Sequence, residues 1–353
     1  MLHILIPDRN VFKMTYKAGV IGLGGHGFRH CTAYGRADGV EVHAVADVSE
    51  KALKRAEEEV SHARRFEDWR TMLAETDLDV LSVVTNGPSH AEIVLTAVEA
   101  GVPRIFCEKP FATSVGDARK MVEACEAKGV RLAVSHGRRW AKAYIELRQL
   151  IADGAIGSLC HFFGVFGGGM YACNGSHALD MMCMLSGSRP TSVTGYVDPS
   201  GKPNPRGAHF RDPGCLVHLQ FESGMRATLD CLEDIGIPMH IDIIGSMGRI
   251  TIRELEQVCE IIARSDADQQ EPIGTYWLPL EPVAFDPEPV DVFNMLEAAI
   301  VELIGEGPIS CGGAEGIQSM EMLMATHISH DEGHRPVSLP LDPTYFALDI
   351  PFT

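Results

Sequence analysis

The stretch YKAGVIGLGGHGFRH, residues 16–30, decides the fold. An apolar run leads into a glycine-rich turn, and the turn opens a helix. Gly22, Gly24 and Gly27 match the pattern GxGxxG. The first glycine permits the tight turn, the second lets backbone approach a pyrophosphate, and the third lets helix and strand pack closely. Glycines alone carry little weight. Here they follow a strand, precede a helix, and are followed about twenty residues later by Asp47, an acid that closes the apolar run VEVHAVAD at residues 40–47. The reading is a βαβ dinucleotide-binding unit, with Gly22, Gly24, Gly25 and Gly27 around the pyrophosphate and Asp47 accepting both ribose hydroxyls. The carboxylate of Asp47 would repel a 2′-phosphate, so NAD is expected over NADP. His26, between the glycines, reads either as a cofactor contact or as a solvated surface imidazole.

Working outward, strands are expected at VLSVVT (residues 80–85), RIFCE (104–108) and VRLAVSH (130–136). The helix PSHAEIVLTAVEAG, with Pro88 in its first turn and Gly101 at its end, separates the first two. Another, TSVGDARKMVEACEAKG, begins at a Ser114 cap with Asp117 at its third position and stops at Gly129. Alternating βα units with apolar strands imply a doubly wound parallel sheet, whose ligand lies beyond the carboxyl ends of the strands. Thr85, Asn86, Glu108, Lys109 and His136 stand at those ends. Thr85, Asn86, His90, Glu108 and Lys109 therefore join the glycines, His26 and Asp47 as cofactor-binding candidates.

The whole chain of 353 residues suits two domains. A net charge of −18 and the lack of any basic tract argue against a nucleic-acid partner. Ten cysteines without a CxxC pair read as reduced thiols of a cytoplasmic protein. No window reaches the roughly 18 apolar residues of a membrane span, so no membrane partner is expected. The opening MLHILIPDRNVFKMTYK lacks the h-region and cleavage pattern of a secretory signal, and Met14 offers an alternative start. In HISHDEGH, His327, His330 and His334 lie near acids, but a solvated helix end is favoured and no metal is expected.

After a helical link at RRWAKAYIELRQLIADGAIG, the second half carries alternating or apolar runs at SLCHFFGVFG, CLVHLQFES, MRATLDCLE, MHIDIIGS and GRITIRE. Gly, Ser and Asp punctuate them as hairpins require, which suggests a separate α+β domain. Late helices at VFNMLEAAIVELIGEG and GAEGIQSMEMLMATHIS precede a short strand, RPVSLPL. The expected division is an N-terminal extension over residues 1–16, a Rossmann domain over 17–138 and a substrate-binding and oligomerisation domain over 139–353.

MYACNGSHALDMMCMLSG, residues 170–187, holds a polar island among methionine, leucine and cysteine. Asn174 or Ser176 would cap a helix ending at Gly187. On that helix His177, Asp180, Met181 and Met184 share one face, and capping alone requires neither the histidine nor the aspartate. Trp140 and Tyr144 share another face, as a wall for a sugar ring or as packing between domains. The loop NPRGAHFRD, residues 204–212, offers Arg206, His209 and Arg211 to an acidic ligand.

With GLGGHG, Asp47, CEKP (107–110), HGRRW (136–140) and GSHALD (175–180) in this order, the chain resembles the Gfo/Idh/MocA oxidoreductases over nearly everything after Tyr16. The resemblance implies an α/β fold: an N-terminal Rossmann doubly wound parallel sheet plus a C-terminal α+β domain with a large open, mostly antiparallel sheet. It implies hydride transfer between NAD(P) and a hydroxyl carbon of a sugar, inositol, polyol or sugar acid, in a homodimer or homotetramer. It also implies that Lys109 and His177 are catalytic, His177 as general base and Lys109 as the cation that stabilises alkoxide charge. Arg138, Trp140, Cys173, Asn174 and Asp180 are the substrate-side candidates.

Three departures stand out. Cys173 occupies the place of an aspartate that inositol-dehydrogenase-like members carry four residues before the histidine. Asn86-Gly87 stands where relatives often show Pro-Asn, and Gly137-Arg138-Arg139-Trp140 where they show Asn-Arg-Arg-Phe. Asp180 could replace the missing acid, or it could serve a core hydrogen bond or a substrate hydroxyl. Loss of the aspartate keeps two other readings open: redox-neutral glycoside hydrolysis or elimination through transient oxidation, and a nucleotide-sensing regulator without turnover.

Overall fold

Short apolar runs bounded by glycine and polar turns form the first layer. The computed structural model describes residues 15–353, so most of the expected N-terminal extension lies outside the described residues. The parallel strands are β1 (Tyr16–Ile21), β2 (Val40–Ala46), β3 (Arg64–Phe66), β4 (Val80–Val83), β5 (Arg104–Cys107) and β6 (Arg131–Val134). Their order is β3-β2-β1-β4-β5-β6, reversing at β1/β4. Parallel neighbours need crossovers. These are α1 (Gly25–Arg36), α2 (Glu50–Glu59), α3 (Trp69–Glu75), α4 (His90–Glu99) and α5 (Val115–Lys128). As expected, the Ser114 hydroxyl accepts the Asp117 N–H at 3.0 Å and Gly129 ends α5 in the left-handed conformation.

The β1–α1 turn needs its glycines for distinct reasons. Gly22 has φ +94°, and a Cβ at Gly27 would sit 1.9 Å from the Gly22 carbonyl oxygen. Gly24 and Gly25 instead face open space.

Helix α6 (Lys142–Ala152) leads to the second sheet. Its first members are β7 (Leu159–Val165) and, after α7 (Ser176–Ser186), β8 (Pro190–Val197). Then come β9 (Cys215–Phe221), β10 (Arg226–Asp230), β11 (His240–Gly245), β12 (Gly248–Arg253), β13 (Val258–Ala263) and the short β14 (Glu281–Pro282). Two helices, α8 (Val292–Ile304) and α9 (Gly313–Asp331), precede the edge strand β15 (Val337–Ser338). The order is β14-β13-β12-β11-β7-β10-β9-β8-β15, antiparallel throughout except for β7 beside β10. In β9 the side chains of Cys215, Val217, Leu219 and Phe221 are buried while His218 and Gln220 face out, the period-2 alternation of a sheet with one covered face.

The late helices do not stay with the second sheet. Helix α8 returns to pack on α1 and against β5 and β6, and α9 packs on both α5 and β8. Arg36 donates to Asn294 at 2.7 Å, and the Arg131 guanidinium binds the carbonyls of Glu302, Leu303 and Gly307 around the end of α8. The Rossmann layer is thus completed by residues far beyond 138. No helix among the described residues is long and apolar enough to cross a membrane.

Candidate active site

At the carboxyl ends of β1, β4 and β5, a cleft of about 260 Å³ brings together Gly24, Gly25, His26, Thr85, Asn86, Glu108 and Lys109. Arg206, from the loop after β8, closes it from the second domain. These residues fit a dinucleotide. The first turn of α1 begins at open glycines with no side chain capping its N–H groups, which leaves donors for a pyrophosphate. Asp47 accepts from the Leu23 N–H at 2.5 Å and the Ser49 N–H at 2.7 Å, which fixes its carboxylate at the end of β2.

Glu108 is buried beneath this cleft. Its Oε1 lies 3.0 Å from His30 Nε2 and 3.2 Å from His26 Nε2. Burial by itself would raise the Glu108 pKa, but hydrogen bonds and charge from His26 and His30 outweigh it and hold the carboxyl well below its usual range. Burial lowers the pKa of His30, so its imidazole is neutral. A neutral His30 donates from Nε2 to Glu108 and accepts at Nδ1 from Ser82, 3.0 Å away, whose oxygen in turn accepts from the Tyr34 hydroxyl at 2.9 Å. Among the described residues these three side chains, His26, His30 and Glu108, are the set with metal-ligating atoms within 4.8 Å of one another. N–H donors already account for each contact with the carboxylate.

Lys109 follows Glu108 and crosses to the second domain. Its ammonium donates to the Cys173 carbonyl oxygen at 2.7 Å and lies 3.4 Å from the Cys173 sulfur. Cys173 belongs to a π-helical turn, Tyr171–Gly175, entered from Met170 at φ 56° and running directly into α7. The expected cap by Asn174 or Ser176 is corrected by this continuity. The Ser176 N–H finds the Tyr171 carbonyl, and neither side chain caps the helix. Asn174 is exposed on the turn. The donors at the start of the turn go to Asp212, which accepts from the Ala172 N–H at 2.6 Å and from the Cys173 N–H at 3.0 Å.

His177 lies one turn beyond Cys173. Burial, then the cations of Lys109 and Arg138, then His136, hold its pKa well below the ordinary imidazole value. Its Nδ1 has no hydrogen-bond partner, and its ring stands perpendicular to that of His136 at 5.9 Å. Asp180 does not orient it. That carboxylate is 3 % exposed and pairs with Arg139, whose Nε lies 2.9 Å from both oxygens. Arg138 forms a two-pronged pair with Glu254 at 2.8 and 2.7 Å, and Glu254 also accepts from the Tyr144 hydroxyl at 2.6 Å.

Two candidates belong to the packed interior instead. His90 is fully buried, its ring nitrogens 3.0 Å from the carbonyls of Pro110 and Thr85, so it braces the strand-end loops rather than reaching a cofactor. Trp140 is 6 % exposed, packs edge-on against Phe106 and donates its indole N–H to Glu302 of α8. His327 also departs from expectation: it is buried in α9 rather than solvated, and neither ring nitrogen has a partner. Asp212 was not anticipated, because an acid before Pro213-Gly214 reads as a turn residue.

Residues 16–136 match the family model described as "Oxidoreductase family, NAD-binding Rossmann fold", GFO_IDH_MocA, and residues 163–339 match that family's C-terminal alpha/beta domain. The chain is 28% identical over 343 residues to D-apiose dehydrogenase of Paraburkholderia graminis, covering 90% of this chain and 88% of the relative. It is 30% identical over 303 residues to inositol 2-dehydrogenase of Pseudomonas savastanoi pv. phaseolicola, covering 82% and 88%. The solved structure of levoglucosan dehydrogenase with NADH and levoglucosan is similar in fold, with a TM-score of 0.77 at 20% identity over 93% of this chain and 100% of that one.

Proposed function

The chain belongs to the Gfo/Idh/MocA oxidoreductase family, and from that membership we propose that it is an NAD-dependent dehydrogenase of a hydroxyl-bearing carbon in a sugar, inositol, polyol or sugar acid. The observation that carries the reading is the meeting of Lys109 from the first domain with the His177 segment of the second, at the mouth of the dinucleotide cleft. NAD, when bound, supplies the hydride acceptor. Gly24 and Gly25 give the pyrophosphate access to the α1 N-terminus, and Asp47 takes the ribose hydroxyls.

Lys109 has three donor hydrogens, and the carbonyl and sulfur of Cys173 engage two. The third is available to a substrate oxygen, whose growing negative charge the ammonium stabilises. His177, neutral at working pH because of its burial and cationic neighbours, receives the hydroxyl proton. Arg206 lines the cleft, and we take it with Arg138 and Asn174 as the groups that meet the rest of the substrate. The open face of the second sheet carries part-exposed Phe163, Tyr196 and Ile244, which supports a homodimer or homotetramer.

A second reading draws on one observation. His177 has no carboxylate partner, since Cys173 replaces the aspartate of inositol-dehydrogenase-like members and Asp180 is held by Arg139. That departure from the inositol-dehydrogenase-like pattern keeps open a cycle in which the hydride returns, as in redox-neutral elimination. Following reduced-nicotinamide absorbance of the NAD-loaded protein with pooled inositols, aldoses, sugar acids and aryl glycosides separates the cases. Reduced cofactor accumulating beyond one equivalent per site is the expected result. Aglycone release with absorbance capped at one equivalent would establish the redox-neutral reading instead. Intact NAD binding with neither signal would count against both and leave a regulatory role.

A further inference from the structure

Asp212 sits behind the π-helical turn, 6 % exposed, and makes three contacts. Oδ1 accepts from the Ala172 N–H at 2.6 Å, and Oδ2 accepts from the Cys173 N–H at 3.0 Å and from the Thr353 hydroxyl at 3.1 Å. The two amides are unpaired donors at the start of a helical segment, which nothing within the turn can satisfy. The next carbonyl along, that of Cys173, receives the Lys109 ammonium at 2.7 Å. A continuous chain of contacts therefore runs from a buried carboxylate, through one residue of backbone, to the lysine at the cofactor cleft. Desolvation raises the Asp212 pKa to about 6, opposed by the two backbone hydrogen bonds, by Thr353 and by the charge of Lys109. Asp212 is thus held as a desolvated acid where a solvated loop aspartate would be simpler.

We propose that Asp212 is the positioning residue of this active site, fixing the Tyr171–Gly175 turn so that the Cys173 carbonyl holds the Lys109 ammonium toward the substrate. The inference rests on reading Lys109 as the group that meets the substrate oxygen. Asp212 touches neither substrate nor cofactor and acts through the turn alone.

Asp212→Asn tests it. An amide accepts at only one end, so its NH2 group must oppose one of the two N–H donors, and the turn loses a fixed point. The first readout is the rate at which Lys109 of the full-length, cofactor-free chain is reductively methylated, followed by mass spectrometry of its peptide. The expected result is an increase of about fivefold or more at Lys109, with other lysines unchanged. NAD affinity should stay within roughly twofold, because the glycine turn and Asp47 are not in contact with Asp212. On any substrate the wild type oxidises, kcat should fall by about tenfold or more with little change in KM, as misplacement of a catalytic group predicts.

Lys109 methylated at the wild-type rate in folded, NAD-binding Asp212→Asn would overturn the proposal. If that variant does not fold, Asp212→Glu, which keeps both acceptor oxygens but shifts them, is read the same way. Faster methylation of Lys109 supports positioning, and an unchanged rate rejects it. A wild type that oxidises no sugar, inositol, polyol or sugar acid, with the methylation contrast between it and the variant present, would end the dehydrogenase reading and leave the positioning of Lys109 standing.

Discussion

The Lys109 ammonium lies 2.7 Å from the carbonyl oxygen of Cys173 and 3.4 Å from its sulfur, so one residue of the second domain anchors a cation delivered by the first. Lys109→Met removes the charge while keeping most of the side-chain volume. We expect kcat to fall by about 10²–10³-fold, the loss typical of a group that stabilises an oxyanion. Affinity for NADH, read by the fluorescence of its reduced nicotinamide, should change far less than kcat. A variant that turns over like the wild type would remove Lys109 from the chemistry.

His177→Gln should cost about 10²–10⁴-fold in kcat if the imidazole is the base. The pH profile carries more information. Burial and the nearby Lys109 and Arg138 cations hold the His177 pKa well below its ordinary value. The acidic limb of kcat/KM should therefore fall below about pH 6.5. In Lys109→Met the limb should move upward, because a charge that opposes the imidazolium has gone. A limb that stays fixed in that variant would assign the titration to another group.

Asp47 accepts two backbone N–H groups at the end of β2, where we propose that it takes the ribose hydroxyls. Asp47→Ser removes the negative charge but keeps a short polar side chain. The ratio of NAD to NADP affinity, measured by titration with each reduced cofactor, should fall by about tenfold or more as repulsion of the 2′-phosphate is relieved. An unchanged ratio would place cofactor choice elsewhere.

Acid should destabilise the fold through its buried histidines, a loss that Asp212, raised to about 6, partly opposes. Burial, then Arg211 and His330, push the His327 pKa down to about 3. Burial likewise lowers His30, His90 and His136. In the unfolded chain each takes up a proton near pH 6.5, so the unfolded state binds more protons below that pH and stability falls as pH drops from about 6.5 toward the folded values. Each such group contributes about 1.4 kcal/mol per pH unit. Glu108, held below its usual range, adds to the loss only at more acidic pH. Urea midpoints at pH 7.5 and 5.5 should differ clearly, and His327→Leu should narrow the gap. An equal gap in that variant would show that His327 does not titrate on unfolding.

The first domain was legible because its signals are local. A glycine turn, a Ser114 cap and a Gly129 stop each act within a few residues, and all three are in place. In the second half, β8 and β13 are not among the expected strands: β8 meets β9 only across the long loop before Cys215, while β13 follows β12 through a short hairpin, with Arg253 opposite Val258. His90 and Trp140 looked like cleft residues because pattern alone cannot tell a polar atom facing a ligand from one satisfied by a buried carbonyl or carboxylate. The π-helical turn and the role of Asp212 within it were invisible for a related reason. No side-chain pattern marks which backbone N–H groups a distant carboxylate will take.

The route of α8 back onto α1 has a bearing on how the molecule is made. A fragment ending after β6 would contain every strand of the cofactor sheet, yet it would leave the α1 surface that α8 covers open to water. During synthesis that surface waits for more than half the chain to leave the ribosome. Cofactor binding cannot then mature domain by domain, and an excised dinucleotide-binding fragment should be aggregation-prone. Supplying the α8 peptide in trans is the direct way to recover it.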